Sequence, residues 1–358
     1  MTRRSPAPGT SAPGSRTASR FGLSERVFAG PGSRRLIAAI ESGLERVEEQ
    51  LAVELRSADD LVDATSRYLY EAGGKRVRPM LTMLSAQLGD GATQPVIDAA
   101  TALELTHLGS LYHDDVMDGA DRRRGVASAH QVWGNSIAIL TGDLLFSRAS
   151  QIMARLGDRA MRLQADTFER LVLGQMHETV GAKPGDDPIA FYIQVLADKT
   201  GSLIAAAAQA GAVFSNADET YHEPLREYGE KVGVAFQLLD DVIDLSADPT
   251  ETGKVPGTDL RAGVPTMPYL LLARSDDAHA RELTEQIDAG VARIGEGDDP
   301  AILDAPLARL RDHDATERTR ELAMSWTREA VDALAPLPRG GVKEALTRFA
   351  QSLVDRSS

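Results

Sequence analysis

The chain has 358 residues, of which 42% are hydrophobic, 26% charged and none cysteine, and its net charge is −14. An acidic balance argues against nucleic acid as the main partner, because phosphate binding needs a basic face. The missing thiols exclude disulfides, zinc–thiolate sites, Fe–S clusters and a cysteine nucleophile, and no apolar run reaches the ~18 residues of a membrane span.

Residues 1–32 are rich in Pro, Gly, Ser, Thr and Arg and hold no apolar h-region. That composition predicts a disordered tail rather than a secretory signal. From residue 33 the pattern becomes helical, with Leu36, Ile40, Leu44, Val47, Leu51 and Leu55 recurring every three or four positions. Helix formers dominate the rest of the chain, and β-branched alternation is scarce. Gly73-Gly74, Gly89-Asp90-Gly91 and residues 183–188, 248–268 and 295–300 break the pattern. The Ala-rich stretch 202–214 is too short to span a bilayer and predicts a closely packed buried helix. No Pro/Ser-rich linker interrupts residues 33–352. The expectation is one all-α domain, a helical bundle around a central cavity.

Two stretches, LGSLYHDDVMDG and VAFQLLDDVIDL, each set an Asp-Asp-x-x-Asp cluster after an apolar run. On a helix the first and last Asp share a face and the middle one is rotated by ~100°. Asp114 and Asp118 should therefore point together with Asp115 beside them, and Asp240 and Asp244 together with Asp241 beside them. Carboxylates crowded in this way repel unless a cation compensates. Hard oxygen donors suit Mg²⁺ bridged to phosphates. A solvated helix face is the plainer reading of one such cluster alone. Two of them, both embedded in apolar sequence, favour facing walls of a metal site.

Cations flank these clusters. Lys75, Arg76 and Arg78 follow the first glycine pair, Arg122, Arg123 and Arg124 follow the first acidic cluster, and Lys199-Thr200 and Lys254 come later. Surface ion pairing would account for any one of them. Beside carboxylates they suit a polyanion, because Arg grips phosphate oxygens in a fork and Lys supplies a point charge.

Taken in order, GGKRVRP, LTHLGSLYHDDVMD followed by RRG, GNSIAILTGDLLFSRA, GQMHET, KTGSL and FQLLDDVIDLSADPTETGKVPGTD resemble the trans-polyprenyl diphosphate synthase family. The resemblance covers roughly residues 36–352. It is closest to long-chain, quinone-side-chain members, and several stretches are similar to actinobacterial hepta-, octa- and nonaprenyl diphosphate synthases. It implies an isoprenoid-synthase-type bundle and head-to-tail condensation of isopentenyl diphosphate onto an allylic diphosphate. It further implies about three Mg²⁺ per site, a homodimer, and a cytoplasmic enzyme with no membrane span and at most a peripheral membrane contact for product release.

By this resemblance Asp114, Asp115 and Asp118 hold Mg²⁺ against the allylic diphosphate, and Asp240, Asp241 and Asp244 hold the remainder. Lys75, Arg78, His107 and Arg124 match the isopentenyl diphosphate site, and Arg123 matches the arginine on the allylic diphosphate. Lys199, Thr200, Gln237 and Lys254 line the leaving group and the reacting carbons. Gln175 and Glu178 stand where relatives carry Gln and Asp. Gly263-Val264 departs from the family's usual Gly-Lys pair, so one lysine of the lid loop is expected to be missing.

Product length should depend on the helix leading into Asp114. Short-product relatives carry bulky aromatics four and five residues before the first Asp; here those positions are Ser110 and Gly109. That predicts an open tunnel and a product of about C35–C50, serving as a menaquinone side chain, with Phe146 or Met153 as the floor. The other reading of Gly109 is that it lets two helices pack closely. Tyr112 and His113 read as structural and Trp133 and Trp326 as core or interface, while His130, His177, His222, His279 and His313 show no metal-ligand spacing. Three alternatives stand beside the synthase: a shorter-chain geranylgeranyl diphosphate synthase, a class I terpene cyclase, and a non-catalytic subunit of a heteromeric synthase. The second Asp cluster with Lys75 and Arg78 argues against the cyclase, and two complete clusters argue against the inert subunit.

Overall fold

The computed structural model describes residues 33–246 and 256–354. The tail and Lys254 lie outside the described residues. The chain forms α1 (Ser33–Glu54), α2 (Asp60–Glu71), α3 (Val77–Ala86), α4 (Gln94–Met117), a two-stranded ribbon β1 (Arg122–Arg123) and β2 (Val126–Ala127), α5 (Ala129–Trp133), α6 (Asn135–Leu156) and α7 (Asp158–Val180). It continues with α8 (Pro188–Leu196), a π-turn (Ala197–Gly201), α9 (Ser202–Phe214), α10 (His222–Ser246), α11 (Thr258–Arg261) and α12 (Met267–Ala273). The last elements are α13 (Ala278–Gly295), α14 (Asp304–Arg311), α15 (Asp314–Ala333) and α16 (Gly341–Val354).

Of the predicted stripe, Ile40, Leu44, Val47 and Leu51 on α1 and Leu55 just past its end are all at most 1% exposed, and Leu36 is half-buried. Caps fix the helix starts. Asp59 accepts from Val62 N, and Asp187 accepts from Ile189 N just before Pro188, so an orphan amide of each first turn finds an oxygen. Buried apolar side chains form one connected cluster running from Ile40 to Ala350.

α4 is the central helix. It is buried on most sides, which is why its apolar residues show no single stripe, and it packs on α1, α3, α6 and α9. α9 is the buried Ala-rich helix that the sequence predicts. At Gly211 an added Cβ would lie 2.2 Å from the Thr82 carbonyl and 2.1 Å from Ser85 Oγ, so α9 crosses α3 backbone to backbone. α10 packs on α9 and α15. Tyr228, fully buried on α10, donates its hydroxyl to the Leu346 carbonyl at 2.7 Å and so ties α16 to the bundle. Among the described residues no helix is long and apolar enough to cross a membrane.

Two local features were not anticipated. The arginine run at 122–124 forms an antiparallel ribbon, with Arg122 opposite Ala127 and Arg123 opposite Val126. Its turn places Arg124 at φ +52° and Gly125 at φ +81°, the left-handed pair that a tight hairpin requires. The second feature is the π-turn, which inserts an extra residue into the helical path carrying Lys199 and Thr200.

Candidate active site

α4 delivers the first acidic cluster at its C-terminal end, where Asp118 N closes the last turn on the Asp114 carbonyl at 2.8 Å. The three carboxylates separate by helix geometry. Asp115 is 0% exposed and its Oδ1 accepts from Arg123 Nε at 2.6 Å. Asp114 is half-buried and Asp118 is exposed. Burial pushes the Asp114 carboxyl up to about 6; Asp118 and Glu178 reinforce the shift, and Lys199 and Arg123 oppose it.

The second cluster, on α10, divides in the same way. Asp241 is 5% exposed and accepts from Tyr192 of α8 (3.0 and 3.1 Å) and from Met267 N of α12 (3.0 Å). Burial pushes its carboxyl well above the usual range, with those two donors opposing. Asp240 is exposed and Asp244 half-buried, one turn apart. In both clusters the outer aspartates stand on the open side, and the middle one is spent on holding neighbouring elements.

Glu178 on α7 links the two walls. It pairs with Lys199 of the π-turn. Its charge raises the proton affinity of Asp114 on one side and of Tyr192, the partner of Asp241, on the other. Thr200 follows Lys199 and is half-buried, as is Gln237, one turn before Asp241.

A basic wall lies behind the first cluster. Arg76 is 6% exposed at φ +49°, held by Glu48 (2.5 Å) and Glu104 (3.4 Å). Arg124 donates to the carbonyls of Leu69 (2.7 Å) and Gly73. A Cβ on Gly74 would lie 2.5 Å from Arg76 Nη1 and 3.0 Å from Arg124 Cζ, so a glycine is what lets both guanidinium groups close over this loop. Burial pushes Arg78 down to about 10, Arg124 adding and Glu104 opposing; its Nε has no protein partner. His107 is driven well below its ordinary value by burial and by Arg78, Arg124, Arg76 and Arg123 together. Lys75 is exposed at the rim. With Arg76 and Arg123 already paired to acids, Arg78 and Arg124 beside neutral His107 are the guanidinium groups that favour an anion.

On the other side of α4, Gly109 lies under Phe146 of α6: an added Cβ would meet Phe146 Cε1 at 2.9 Å and the Gly142 carbonyl at 3.1 Å. The close-packing reading of Gly109 is therefore realised. Phe146 lies against Phe168 of α7 (centroids 4.6 Å apart) and edge-on to His113 (5.3 Å). Ser110 turns its hydroxyl onto the His107 carbonyl at 2.9 Å. Met153 is fully buried in the core.

Residues 59–296 match the family described as polyprenyl synthetase. The chain belongs to that family. It is 41% identical over 326 residues to the nonaprenyl diphosphate synthase of Mycobacterium tuberculosis, covering 91% of this chain and 96% of that protein. A solved geranylgeranyl pyrophosphate synthase from Corynebacterium glutamicum, complexed with calcium and isoprenyl diphosphate, superposes with a TM-score of 0.79 at 38% identity, covering 92% of this chain and 99% of that one. A decaprenyl diphosphate synthase from Rhodobacter capsulatus superposes with a TM-score of 0.80 at 30% identity, covering 91% and 99%. As a polyprenyl synthetase, the chain is a prenyltransferase on the all-helical isoprenoid synthase fold.

Within this prenyltransferase the structure brings together Asp114, Asp118, Arg123, Lys199 and Glu178 on one side, and Arg78, His107 and Arg124 beside them. Asp115 and Asp241 are turned into the protein. Three supporting residues escaped the sequence reading. Glu104, 2% exposed, offered a signal, because a lone acid in an apolar helix needs a buried partner. Tyr192 and Arg170 offered none, since each acts across a long sequence separation.

Proposed function

We propose that this prenyltransferase condenses isopentenyl diphosphate repeatedly, head to tail, onto an allylic diphosphate, using Mg²⁺, to a product of the heptaprenyl-to-decaprenyl size that several relatives are named for. The observation that carries this reading is the Glu178–Lys199 pair, whose Glu178 acts on Asp114 of the first cluster and on Tyr192, the partner of Asp241 in the second, with Arg123 beside Asp114 and near the Arg78–His107–Arg124 wall. The residues fit a hard divalent cation. The donors are all carboxylate oxygens, and burial beside like charges already holds Asp114 at about 6. Mg²⁺ takes one or two carboxylates and completes its shell with water and phosphate oxygens. Asp114, Asp118, Asp240 and Asp244 would hold it. When bound it supplies positive charge to the departing diphosphate.

The remaining work falls to the side chains. Arg123, oriented by Asp115, and Lys199 grip the allylic diphosphate as its C–O bond breaks, meeting charge where it develops. Arg78, Arg124, Lys75 and neutral His107 hold isopentenyl diphosphate so that its double bond reaches the allylic carbon. The proton lost from the new chain passes to the released diphosphate. The exposed apolar residues Leu140 on α6 and Leu173 and Met176 on α7 support burial against a second copy in a homodimer. We place the enzyme in the cytoplasm, releasing a lipid product toward the membrane for a quinone side chain.

A shorter product is the second reading, favoured by Phe146 lying on Gly109. Farnesyl diphosphate, labelled isopentenyl diphosphate and Mg²⁺ are incubated with the full chain, and the dephosphorylated products are sized. A ladder ending between heptaprenyl and decaprenyl supports the long-chain reading. A stop at geranylgeranyl supports the second, and no product with any primer points to a subunit that needs a partner.

A further inference from the structure

The π-turn Ala197–Gly201 joins α8 to α9 and presents Lys199 and Thr200. A π-turn is a strained insertion that leaves carbonyls short of helical donors, and it persists where its surroundings hold it. Here side chains supply the donors. Arg170 of α7 gives Nη2 to the Ala197 carbonyl (3.3 Å), Nε to Asp198 Oδ1 (2.7 Å) and Nη1 to Glu230 Oε2 of α10 (2.6 Å). Ser202 Oγ donates to the Asp198 carbonyl at 2.5 Å, and Gln194 Nε2 holds the second Asp198 oxygen at 2.8 Å.

One face of α7 runs along this turn. Arg170, Gly174 and Glu178 recur at a spacing of four, so they stack on one side of the helix. Arg170 meets Ala197 and Asp198. At Gly174 an added Cβ would lie 2.4 Å from Lys199 N. Glu178 meets the Lys199 ammonium. On the far side, a Cβ at Gly233 of α10 would lie 2.5 Å from Gly201 Cα. The glycines let three backbones come into contact but give no directional hold. The Arg170 guanidinium, with two partners on the π-turn and one on α10, supplies one.

We propose that Arg170 is the positioning residue for Lys199 and Thr200: it pins the π-turn between α7 and α10 so that both side chains face the leaving diphosphate. This rests on the reading of Lys199 and Thr200 given above. Arg170 touches no substrate. Its loss lets the inserted residue redistribute along α8 and α9 and swings Lys199 off its line, a displacement of about 1 Å being enough to cost about 10²-fold in rate.

The test uses the full chain with Mg²⁺ and both substrates. Arg170→Met should lower kcat by about 10²-fold while the KM for isopentenyl diphosphate stays within about twofold. In a Lys199→Ala/Thr200→Ala background the same change should cost less than about threefold, because a positioning residue has nothing left to position. Asp198→Asn is the second variant, read in the same way if Arg170→Met does not fold. An equal loss in both backgrounds, or a loss confined to thermal stability, overturns the proposal. A Lys199→Ala/Thr200→Ala enzyme with full activity overturns the reading of those two residues, and the clamp with it. Loss in that enzyme but none in Arg170→Met overturns the clamp alone.

Discussion

Glu178 of α7 and Lys199 of the π-turn form an ion pair that stands beside Asp114, and both charges act on that carboxylate in opposite directions. On the proposed reading, a diphosphate arriving at Lys199 would compete with Glu178 for the ammonium and leave two carboxylates side by side, which a divalent cation would compensate.

The pH dependence of metal binding follows from this arrangement. Asp114 is held at about 6 in the fold against an ordinary value of 3.8. Its folded pKa lies above its unfolded one, so the native state binds the extra proton between those values. Stability of the metal-free protein should fall as pH rises from about 4 to about 6. A cation at the carboxylate reverses that penalty once the proton has left. The rise in melting temperature produced by Mg²⁺ with inorganic diphosphate should therefore be larger at pH of about 7.5 than at about 5, and Asp114→Asn should flatten the difference. An equal rise at both pH values in the unaltered enzyme would separate Asp114 from the metal.

Asp115 and Asp114 are neighbours with different tasks. Asp115 is buried against Arg123, whereas Asp114 faces the open side. Asp114→Asn should lower kcat by about 10³-fold, in line with loss of a group that acts on transition-state charge. Asp115→Asn should cost about tenfold to a hundredfold. That cost should largely disappear in an Arg123→Ala background, because the two share one interaction. Kinetics of the four single and double variants decide it; additive losses for Asp115 and Arg123 would mean that Asp115 acts on something else.

The sequence made much of this site legible because its chemistry is local in the chain. Each aspartate cluster occupies five consecutive residues, and the helical period alone separates the outer carboxylates from the middle one. The buried stripe of α1 and the buried helix α9 were readable for the same reason. What could not be read is long-range. Tyr192 reaches Asp241 across 49 residues and Arg76 reaches Glu48 across 28, and no period relates them. The π-turn was hidden because ADKTG has ordinary helix-compatible composition and its geometry is imposed by α7 and α10. Gly109 shows a different difficulty. Its lack of a side chain was compatible with an open tunnel or a close helix contact, and only the position of Phe146 on α6 decided for contact.

Gly211 supplies a stability test independent of chemistry. An alanine there would drive its Cβ into the Thr82 carbonyl and Ser85 Oγ. Both belong to α3, whose first turn carries Arg78. Gly211→Ala should destabilise the fold by about 1–3 kcal/mol, as other overpacked cores do, and raise the KM for isopentenyl diphosphate. Gly263→Ala, where the added Cβ meets nothing nearer than 3.7 Å but φ is +82°, should act only through local backbone strain. Chemical denaturation of the two variants separates steric overlap between helices from strain in a turn.

Phe146 fills the space beside Gly109 and leans on Phe168, about five residues of helix, or ~7.5 Å, below Asp114. A tail longer than that must displace the aromatic pair or pass beside it. Phe146→Ala removes the ring that covers Gly109 and should shift the product ladder to longer chains, and Phe146→Ala/Phe168→Ala should shift it further. The condensation rate for the first addition should change little, because neither ring stands among the aspartates or arginines. Product sizing over a time course distinguishes this from slowed release, which would broaden the ladder without moving its longest member. An unchanged longest product in both variants would take the aromatic pair out of the tunnel and leave the floor deeper between α4 and α6.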